Sequence, residues 1–309
     1  MSDKVPDRPT VAQRLLDVVG EDGVSLSEPL SEHTTFKIGG PADVFVAPDS
    51  IESAERAIAV CREEGVPFFV LGRGSDLLVS DLGYRGVIIC MADALDDLVV
   101  EDEKLVCQAG VTLSDAAEMA CALGLTGLEF ACGIPGTVGG AVFMNAGAYG
   151  GQIADVLESV RVVDPCGEVR EMGVDELDLG YRHSRIADDG LFVLSATFAL
   201  EPGDEAEIRA TMDDLTERRE EKQPLELPSA GSTFKRPEGH FAGKLISDAG
   251  LQGYRSGGAE VSTKHAGFVV NAGDATATDV RAVIAHVQDE VERQFGVRLE
   301  PEVRFRGEF

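Results

Sequence analysis

The chain has 309 residues, with 55 acidic and 27 basic side chains and a formal net charge of −28. This charge argues against nucleic acid and anionic membrane surfaces as partners, because both repel an acidic protein. An apolar content of 44% with 27% charged residues is typical of globular proteins and not of disordered ones. The length predicts more than one domain.

The N-terminal residues 1–9 are polar, so we expect no secretory signal and a cytoplasmic location. The cysteines form no Cys-x-x-Cys pair and have no histidines at zinc-finger spacing, which predicts buried, reduced thiols and no metal site. They are Cys61, Cys90, Cys107, Cys121, Cys132 and Cys166. The uncharged stretch 130–154 contains Pro135, Asn145 and seven glycines, so we do not expect it to span a membrane.

The N-terminal third predicts a helix followed by a βαβ unit. Thr10 and Gln13 have the spacing of a capping box for a helix that ends at Gly20. A strand at 44–47 precedes a helix that begins near Ile51 and ends before Gly65. The apolar run 66–71 predicts a strand buried on both faces, and a further strand is predicted at 86–90.

The middle third predicts two hairpins and a helix. The first hairpin joins 98–100 to 105–108, and the second joins 157–164 to 168–172 through Pro-Cys-Gly. A helix capped by Thr112 lies between them and stops at Gly124.

The C-terminal third begins with an acidic helix over 203–222, followed by prolines that favour a domain boundary. Thr276 and Asp279 predict a capping box for an amphipathic helix, and a final strand is predicted at 297–306. The succession of elements divides the chain into an N-terminal helix and three larger parts. The predicted boundaries are 1–20, 21–95, 96–200 and 201–309.

Two glycine-rich segments are candidates for binding an anion. Residues 72–76 follow a predicted strand, where ligands of α/β sheets bind, but a tight turn explains their glycines equally well. They are not a dinucleotide fingerprint, since a third glycine and a following helix are missing. Residues 133–151 have seven glycines and no charge. This favours a backbone that binds pyrophosphate over a flexible linker, because the interspersed side chains are too apolar for solvent.

Six segments together resemble the UDP-N-acetylenolpyruvoylglucosamine reductase (MurB) family, in the form without the extra tyrosine-bearing loop. They are 33–42 (His-Thr-Thr-Phe-Lys-Ile-Gly-Gly-Pro-Ala), 72–78, 133–149, Tyr181-Arg182, 229–235 (Ser-Ala-Gly-Ser-Thr-Phe-Lys) and 300–305 (Glu-Pro-Glu-Val-Arg-Phe). The resemblance covers about residues 21–309. It implies an α+β fold of the vanillyl-alcohol-oxidase/PCMH type, with two FAD-binding subdomains at 21–95 and 96–200. A C-terminal α+β domain at 201–309 would bind the substrate, and the final strand would pack back on the first subdomain.

The resemblance also implies FAD as the cofactor. Some relatives of this fold attach the flavin to a histidine in the first loop; no histidine occurs here between His33 and His183, so we expect non-covalent binding. Asp76 stands where the family pattern has asparagine. The implied cofactor-binding residues are Leu71, Gly72, Arg73, Gly74, Ser75, Asp76, Gly133, Ile134, Pro135, Gly136, Thr137, Gly139, Gly140, Ala141 and Asn145.

The implied reaction has two stages in peptidoglycan precursor synthesis. NADPH reduces FAD, and hydride then passes to the enolpyruvyl group of UDP-N-acetylglucosamine enolpyruvate to form UDP-N-acetylmuramate. The resemblance makes Ser232 the proton donor, with Arg182 and Glu302 stabilising the enolate. The implied substrate-binding residues are Tyr181, Lys222, Lys235 and Arg236, the last of which replaces a neutral residue of the family pattern.

Two other functions stay open at this point. One is another FAD-dependent oxidase or dehydrogenase of the same fold, and the other is a non-catalytic flavin-binding protein. Taken singly, Ser232, Arg182 and Glu302 would each be ordinary surface residues. Their joint occurrence inside three matching motifs argues against both alternatives. The five histidines are expected to be structural or incidental: His33, His183, His240, His265 and His286.

Overall fold

The computed structural model describes residues 8–92 and 94–309, with the side chains of residues 8–10 left undescribed. The chain divides into two compact units, each built from separate stretches. Unit 1 consists of the described residues of Met1–Leu26 with Val44–Gly72 and Gly86–Arg219. Unit 2 consists of Ser27–Asp43, Arg73–Arg85 and Glu220–Phe309.

Helices and strands alternate along the described residues, as expected for an α+β protein. The α-helices are α1 (Arg8–Val19), α2 (Ile51–Glu63), α3 (Leu113–Ala122), α4 (Val138–Met144), α5 (Arg185–Asp188), α6 (Glu205–Lys222), α7 (Ala242–Asp248) and α8 (Ala277–Phe295). The strands are β1 (Val24–Pro29), β2 (Pro41–Val46), β3 (Phe68–Leu71), β4 (Leu77–Val79), β5 (Tyr84–Cys90), β6 (Leu98–Glu101), β7 (Lys104–Gln108), β8 (Leu125–Thr126), β9 (Gly147–Ala148), β10 (Gly151–Gln152), β11 (Leu157–Val163), β12 (Val169–Gly173), β13 (Phe192–Ala199), β14 (Glu201–Pro202), β15 (Ser229–Ser232), β16 (Arg255–Ser256), β17 (Ala259–Val261), β18 (Phe268–Asn271) and β19 (Arg304–Arg306).

The predicted βαβ unit and both predicted hairpins are present. β3 and β5 pair in parallel with Phe68 opposite Val87, within a sheet of order β1-β2-β5-β3. Both hairpins lie in a five-stranded sheet of order β12-β11-β13-β7-β6. The buried residues of this sheet, of α2 and α3 and of the glycine-rich segment form one continuous hydrophobic core in unit 1.

Unit 2 has a second hydrophobic core around the antiparallel sheet β15-β18-β17-β16. The predicted capping box of α8 is confirmed, because Asp279 N–H donates to Thr276 Oγ1 over 3.1 Å and Thr276 N–H donates to Asp279 over 3.0 Å. The side chains of Val280, Val283 and Val287 are fully buried on its apolar face. β19 pairs in parallel with β4.

Four details differ from the sequence predictions. α1 begins at Arg8, so Thr10 lies inside the helix and is not its N-cap. β3 is an edge strand and is half-buried along most of its length, because sheet order places β5 on only one side of it. The predicted strand at 297–306 is strand only over Arg304–Arg306. Cys166 is exposed at the tip of its hairpin rather than buried.

A helix inside the glycine-rich segment was not predicted. α4 has Thr137 as N-cap and ends at Asn145, which has φ 43° and ψ 59°. Two of the seven residues of α4 are glycines, which are poor helix formers, so local propensity conceals this helix. Val138 and Val142 are fully buried, which is inconsistent with a flexible linker.

Among the described helices, none is both long enough and apolar enough to cross a bilayer. Within the same residues, no group of three or more histidine, cysteine, aspartate or glutamate side chains is placed to hold a metal ion.

Candidate active site

The first glycine-rich loop is divided between the units, with Leu71 and Gly72 in unit 1 and residues 73–76 in unit 2. Leu71 is buried, and its carbonyl accepts a hydrogen bond from Met91 N–H over 2.8 Å. A Cβ atom at Gly72 would lie 2.4 Å from Thr137 Oγ1. Glycine is therefore required at position 72 because the N-cap of α4 packs directly against its backbone.

In unit 2, Gly74 has φ +60°, and a Cβ atom there would lie 2.4 Å from the His33 carbonyl oxygen. The tight-turn explanation therefore accounts for this glycine without a ligand. Arg73 is exposed, while Ser75 and Asp76 are half-buried.

Asp76 lies beside the basic strand β19, whose arginines the sequence analysis assigned to no site. Arg304 N–H donates to the Asp76 carbonyl over 3.0 Å. Burial lowers the pKa of the Arg304 guanidinium, and the charge of Asp76 acts in the opposite direction. Arg306 is two residues further along β19, and its pKa is lowered first by burial and then by the charge of Arg304. The carboxylate at position 76 thus offsets part of the positive charge of this strand.

The second glycine-rich segment lies entirely in unit 1. Most of its amides at 134–140 already donate within the protein: those of Ile134, Gly136, Val138, Gly139 and Gly140. In the described part of the chain, the amides of Gly133 and Thr137 donate to no acceptor. Within 133–140, two backbone donors therefore lack a protein acceptor, which is fewer than the glycine count suggests. Gly133 is half-buried, whereas Thr137 is buried with an exposed fraction of 2%, so Gly133 is the better placed of the two for an anion.

Several glycines of this segment serve internal packing instead. A Cβ atom at Gly139 would lie 2.9 Å from Ala109 Cβ, and one at Gly151 would lie 2.6 Å from the Phe130 ring. At Gly140 a Cβ atom would meet only Thr137 Oγ1, at 3.7 Å. Close approach of other parts of unit 1 thus explains much of the glycine content.

Asn145 is buried, with an exposed fraction of 2%. Its Nδ2 donates to the Gly180 carbonyl over 2.9 Å and to Gln152 Oε1 over 3.1 Å, and its Oδ1 accepts from Ala154 N–H over 3.0 Å. The side chain is therefore occupied by protein groups, and its predicted contact with the cofactor stays a prediction. Its position indicates instead that it holds the turn that begins at Gly180.

Arg182 lies in that turn. The Gly180 and His183 backbones exchange hydrogen bonds of 3.0 and 3.2 Å, which leaves Tyr181 and Arg182 as the two residues of the turn. Arg182 has φ +53°, a conformation uncommon for residues other than glycine. Its guanidinium carbon lies 5.3 Å from the centroid of the Tyr181 ring, and that ring is 60% exposed.

Ser232 and Glu302 are brought together in unit 2, although 70 residues separate them. Glu302 N–H donates to the Thr233 carbonyl over 2.8 Å, so the two candidate residues lie on neighbouring backbone segments. Ser232 is exposed at the end of β15, opposite Phe268 of β18. Gly231 has φ +72° and coincides with an irregularity in this pairing, which redirects the Ser232 side chain.

The candidate substrate-binding residues differ in their surroundings. Lys235 forms an ion pair with Glu300. The guanidinium carbon of Arg236 lies 4.0 Å from the centroid of the Phe241 ring, which is 60% exposed. Lys222 is exposed at the end of α6.

Comparison with known proteins decides the family. Residues 42–173 match the family described as FAD binding domain, and residues 223–306 match UDP-N-acetylenolpyruvoylglucosamine reductase, C-terminal domain. The UDP-N-acetylenolpyruvoylglucosamine reductase of Clostridium beijerinckii is 53% identical over 288 residues, which cover 93% of this chain and 94% of that protein. The enzyme of the same name from Listeria welshimeri is 53% identical over 285 residues, which cover 92% and 96%. This chain belongs to the UDP-N-acetylenolpyruvoylglucosamine reductase family.

Solved structures agree with this assignment. The crystal structure of UDP-N-acetylenolpyruvylglucosamine reductase (MurB) from Thermus caldophilus has a TM-score of 0.78 and 35% identity, covering 92% of this chain and 98% of that one. Alkyldihydroxyacetonephosphate synthase, with a TM-score of 0.50 and 17% identity over 65% of this chain, shows likeness of fold alone. The family and the predicted α+β FAD-binding fold are confirmed.

The residues of the second glycine-rich segment fit FAD. The amide of Gly133, which has no protein acceptor in the described residues, is suited to a pyrophosphate oxygen, and the absence of charged residues from 130–154 keeps carboxylates out of that segment. The match of residues 42–173 to an FAD binding domain confirms the prediction of FAD as the cofactor.

Proposed function

We propose that this chain reduces UDP-N-acetylglucosamine enolpyruvate to UDP-N-acetylmuramate, with NADPH as the reductant and bound FAD as the electron carrier. The observation that carries the proposal is the identity of 53% to reductases of this name over at least 94% of their length. The proximity of the Ser232 and Glu302 segments supports it, since those residues belong to the reductase motifs and not to the flavin-binding scaffold.

When bound, FAD supplies hydride transfer, accepting electrons from NADPH and delivering hydride to the terminal carbon of the enolpyruvyl group. The residues proposed to hold it are those at 71–76 and at 133–141, with the amide of Gly133 as a donor to phosphate. Binding is non-covalent, because no histidine lies between His33 and His183 to form a link.

Ser232 is the proposed proton donor. Hydride addition leaves an enolate-like species whose carbon next to the carboxylate needs a proton, and the Ser232 hydroxyl would supply it. The exposure of Ser232 at the end of β15 supports this role, because the donor must reach a bound ligand. The high intrinsic pKa of a serine hydroxyl is less of an obstacle when the acceptor is a strongly basic enolate.

Arg182 and Glu302 would stabilise the negative charge that develops on the substrate carboxylate. A guanidinium pairs well with a carboxylate in a fork geometry. Glu302 would contribute best as a neutral carboxylic acid that donates a hydrogen bond. Tyr181, Lys222, Lys235 and Arg236 are proposed to contact the substrate, and the ion pair of Lys235 with Glu300 would have to rearrange for a direct phosphate contact.

We place the reaction in the cytoplasm, which agrees with the free state of the cysteines in the described residues. We also propose that residues 21–95 and 96–200 act as the FAD-binding subdomains and residues 201–309 as the substrate-binding domain, after an N-terminal helix at 1–20. We propose UDP-N-acetylglucosamine enolpyruvate and NADPH as the small-molecule partners, with no nucleic acid or membrane involved.

The first test uses the purified full-length protein. We expect a yellow protein with one FAD per chain that oxidises NADPH rapidly only when the enolpyruvyl sugar is present. Protein that cannot be loaded with FAD would overturn the proposal. Flavin that NADPH reduces but the sugar never reoxidises would favour another oxidase or dehydrogenase, and flavin that NADPH never reduces would favour a non-catalytic binder.

The second test separates the two half-reactions in stopped flow. Ser232→Ala should leave reduction of the flavin by NADPH unchanged and slow its reoxidation by the sugar by about 10²–10⁴-fold, because only the second stage needs the proton. Ser247→Ala is the matched control, since Ser247 is exposed on α7 and its hydroxyl donates to Gln252 over 2.9 Å. Normal reoxidation in Ser232→Ala would refute the assigned role.

A further inference from the structure

Helix α6 carries three arginines with different surroundings. Arg209 forms a two-pronged ion pair with Glu118, with hydrogen bonds of 2.8 and 2.6 Å. Arg218 pairs with Asp214 on the same helix over 2.8 Å. Arg219, in contrast, makes no hydrogen bond or ion pair with any residue that the structure describes. Arg219 is half-buried, whereas Arg218 beside it is exposed.

Arg219 lies against the glycine-rich segment. A Cβ atom at Gly133 would be 2.9 Å from Arg219 Cδ and 3.3 Å from Arg219 Nη1, so the side chain occupies the space that the glycine leaves. One helical turn earlier, Thr216 Oγ1 lies 3.7 Å from Cys132 Sγ. Helix α6 therefore packs on residues 132–133 and places the guanidinium beside Gly133, whose amide donates to no acceptor in the described residues.

Among the described residues, no carboxylate acts on the pKa of Arg219. Burial lowers the pKa of Arg219, while Tyr149 and Cys132 act in the opposite direction. Neither residue is a carboxylate, and no ion pair of Arg219 is formed within the described residues. Partial burial of an unbalanced cation costs stability, and an anionic ligand would remove that cost.

We propose that Arg219 binds a phosphate oxygen of FAD, together with the amide of Gly133. This inference rests on the proposed function, because it requires that the chain bind FAD. Residue 219 lies between the two family matches, at 42–173 and 223–306, and neither includes it. The chemistry is that of a guanidinium and a backbone N–H converging on an oxyanion.

The test measures FAD affinity and not turnover. Full-length apoprotein is titrated with FAD, and the quenching of flavin fluorescence gives Kd. Arg219→Met, which keeps an unbranched apolar stem without the guanidinium, should raise Kd at least tenfold. Arg219→Lys should have an intermediate effect, because it retains the charge without the fork. Arg218→Met is the matched control and should leave Kd unchanged.

Thermal unfolding separates ligand binding from a structural role. Apoprotein with Arg219→Met should unfold at the same temperature as the wild-type apoprotein or higher, because the unbalanced charge is gone. Addition of FAD should then raise its unfolding temperature by less than it does for the wild type. A lower unfolding temperature of the variant apoprotein with an unchanged Kd for FAD would show that Arg219 has only a structural role.

The source of the phosphate is tested with UDP as a second probe. An unchanged Kd for FAD with weaker binding of UDP in Arg219→Met would overturn the proposal and assign the residue to the substrate. If wild-type protein binds no FAD, the proposed function itself fails. If the wild type and Arg219→Met bind FAD equally, only the present inference fails.

Discussion

Replacement of Asn145 tests how the glycine-rich segment supports the proposed catalytic arginine. Asn145 ends α4 with φ 43° and makes three hydrogen bonds, one of them 2.9 Å long to the carbonyl of Gly180. Gly180 begins the turn that contains Arg182. Asn145→Gly removes all three side-chain bonds and keeps a residue that tolerates the positive φ.

The expected loss of stability follows from these bonds. At about 1 kcal/mol for each buried hydrogen bond, Asn145→Gly should lower the free energy of unfolding by about 3 kcal/mol. For a domain of about 150–250 residues, that loss corresponds to a decrease of roughly 6–12 °C in Tm. Asn145→Ala should lose about 1–2 kcal/mol more, because alanine is strained in the left-handed conformation.

The kinetic consequence is specific to the second half-reaction. A displaced Arg182 should slow flavin reoxidation by the enolpyruvyl sugar by about 10²-fold, with little change in flavin reduction by NADPH. Differential scanning calorimetry and stopped-flow absorbance measure the two effects in the same preparations. Equal Tm values for Asn145→Gly and wild type would contradict the stability argument. Unchanged reoxidation would show that the Gly180 contact does not position Arg182.

Two further predictions concern unit 2 and the cysteines. Asp81 accepts hydrogen bonds of 2.7 and 3.0 Å from the amides of Ala277 and Thr278 at the start of α8, so Asp81→Ala should lower the stability by about 1–2 kcal/mol. Urea unfolding measures this loss, and an unchanged midpoint would contradict it. Cys166 is exposed, whereas burial raises the pKa of Cys61 to about 12, so a disulfide reagent should label Cys166 first in the native protein. If the fastest phase of labelling is still present in Cys166→Ser, Cys166 is not the first cysteine to react.

Local signals predicted the elements that depend on local interactions. The capping box at Thr276 and Asp279 and the end of α3 at Gly124 are determined within one helical turn, and both are present. The edge position of β3 depends on sheet order, which no short window of sequence contains. Helix α4 depends on packing across unit 1, including the contact that requires glycine at position 139.

The sequence predicts which residues form the candidate site better than it predicts their contacts. The family resemblance assigned both Ser232 and Glu302 to the catalytic site. Their proximity is shown by a backbone hydrogen bond between segments that are distant in sequence. Asn145 was assigned to the cofactor, but its side chain is engaged by Gly180 and two other residues. Arg219 was missed because an arginine in an acidic helix resembles a solvated surface residue, and only the folded chain places it over Gly133.

At position 182, the residue that would give the most stable fold differs from the residue that the proposed reaction needs. Residue 182 has φ +53°, a conformation that glycine or asparagine adopts with less strain than arginine. The proposed catalytic side chain therefore lowers the stability of the fold. Mutational libraries screened only for soluble, heat-resistant protein should therefore drift away from arginine at this position. Libraries that must also support cell-wall synthesis should keep it. The residue preferences in the two screens would separate what the turn needs to form from what the chemistry needs to occur.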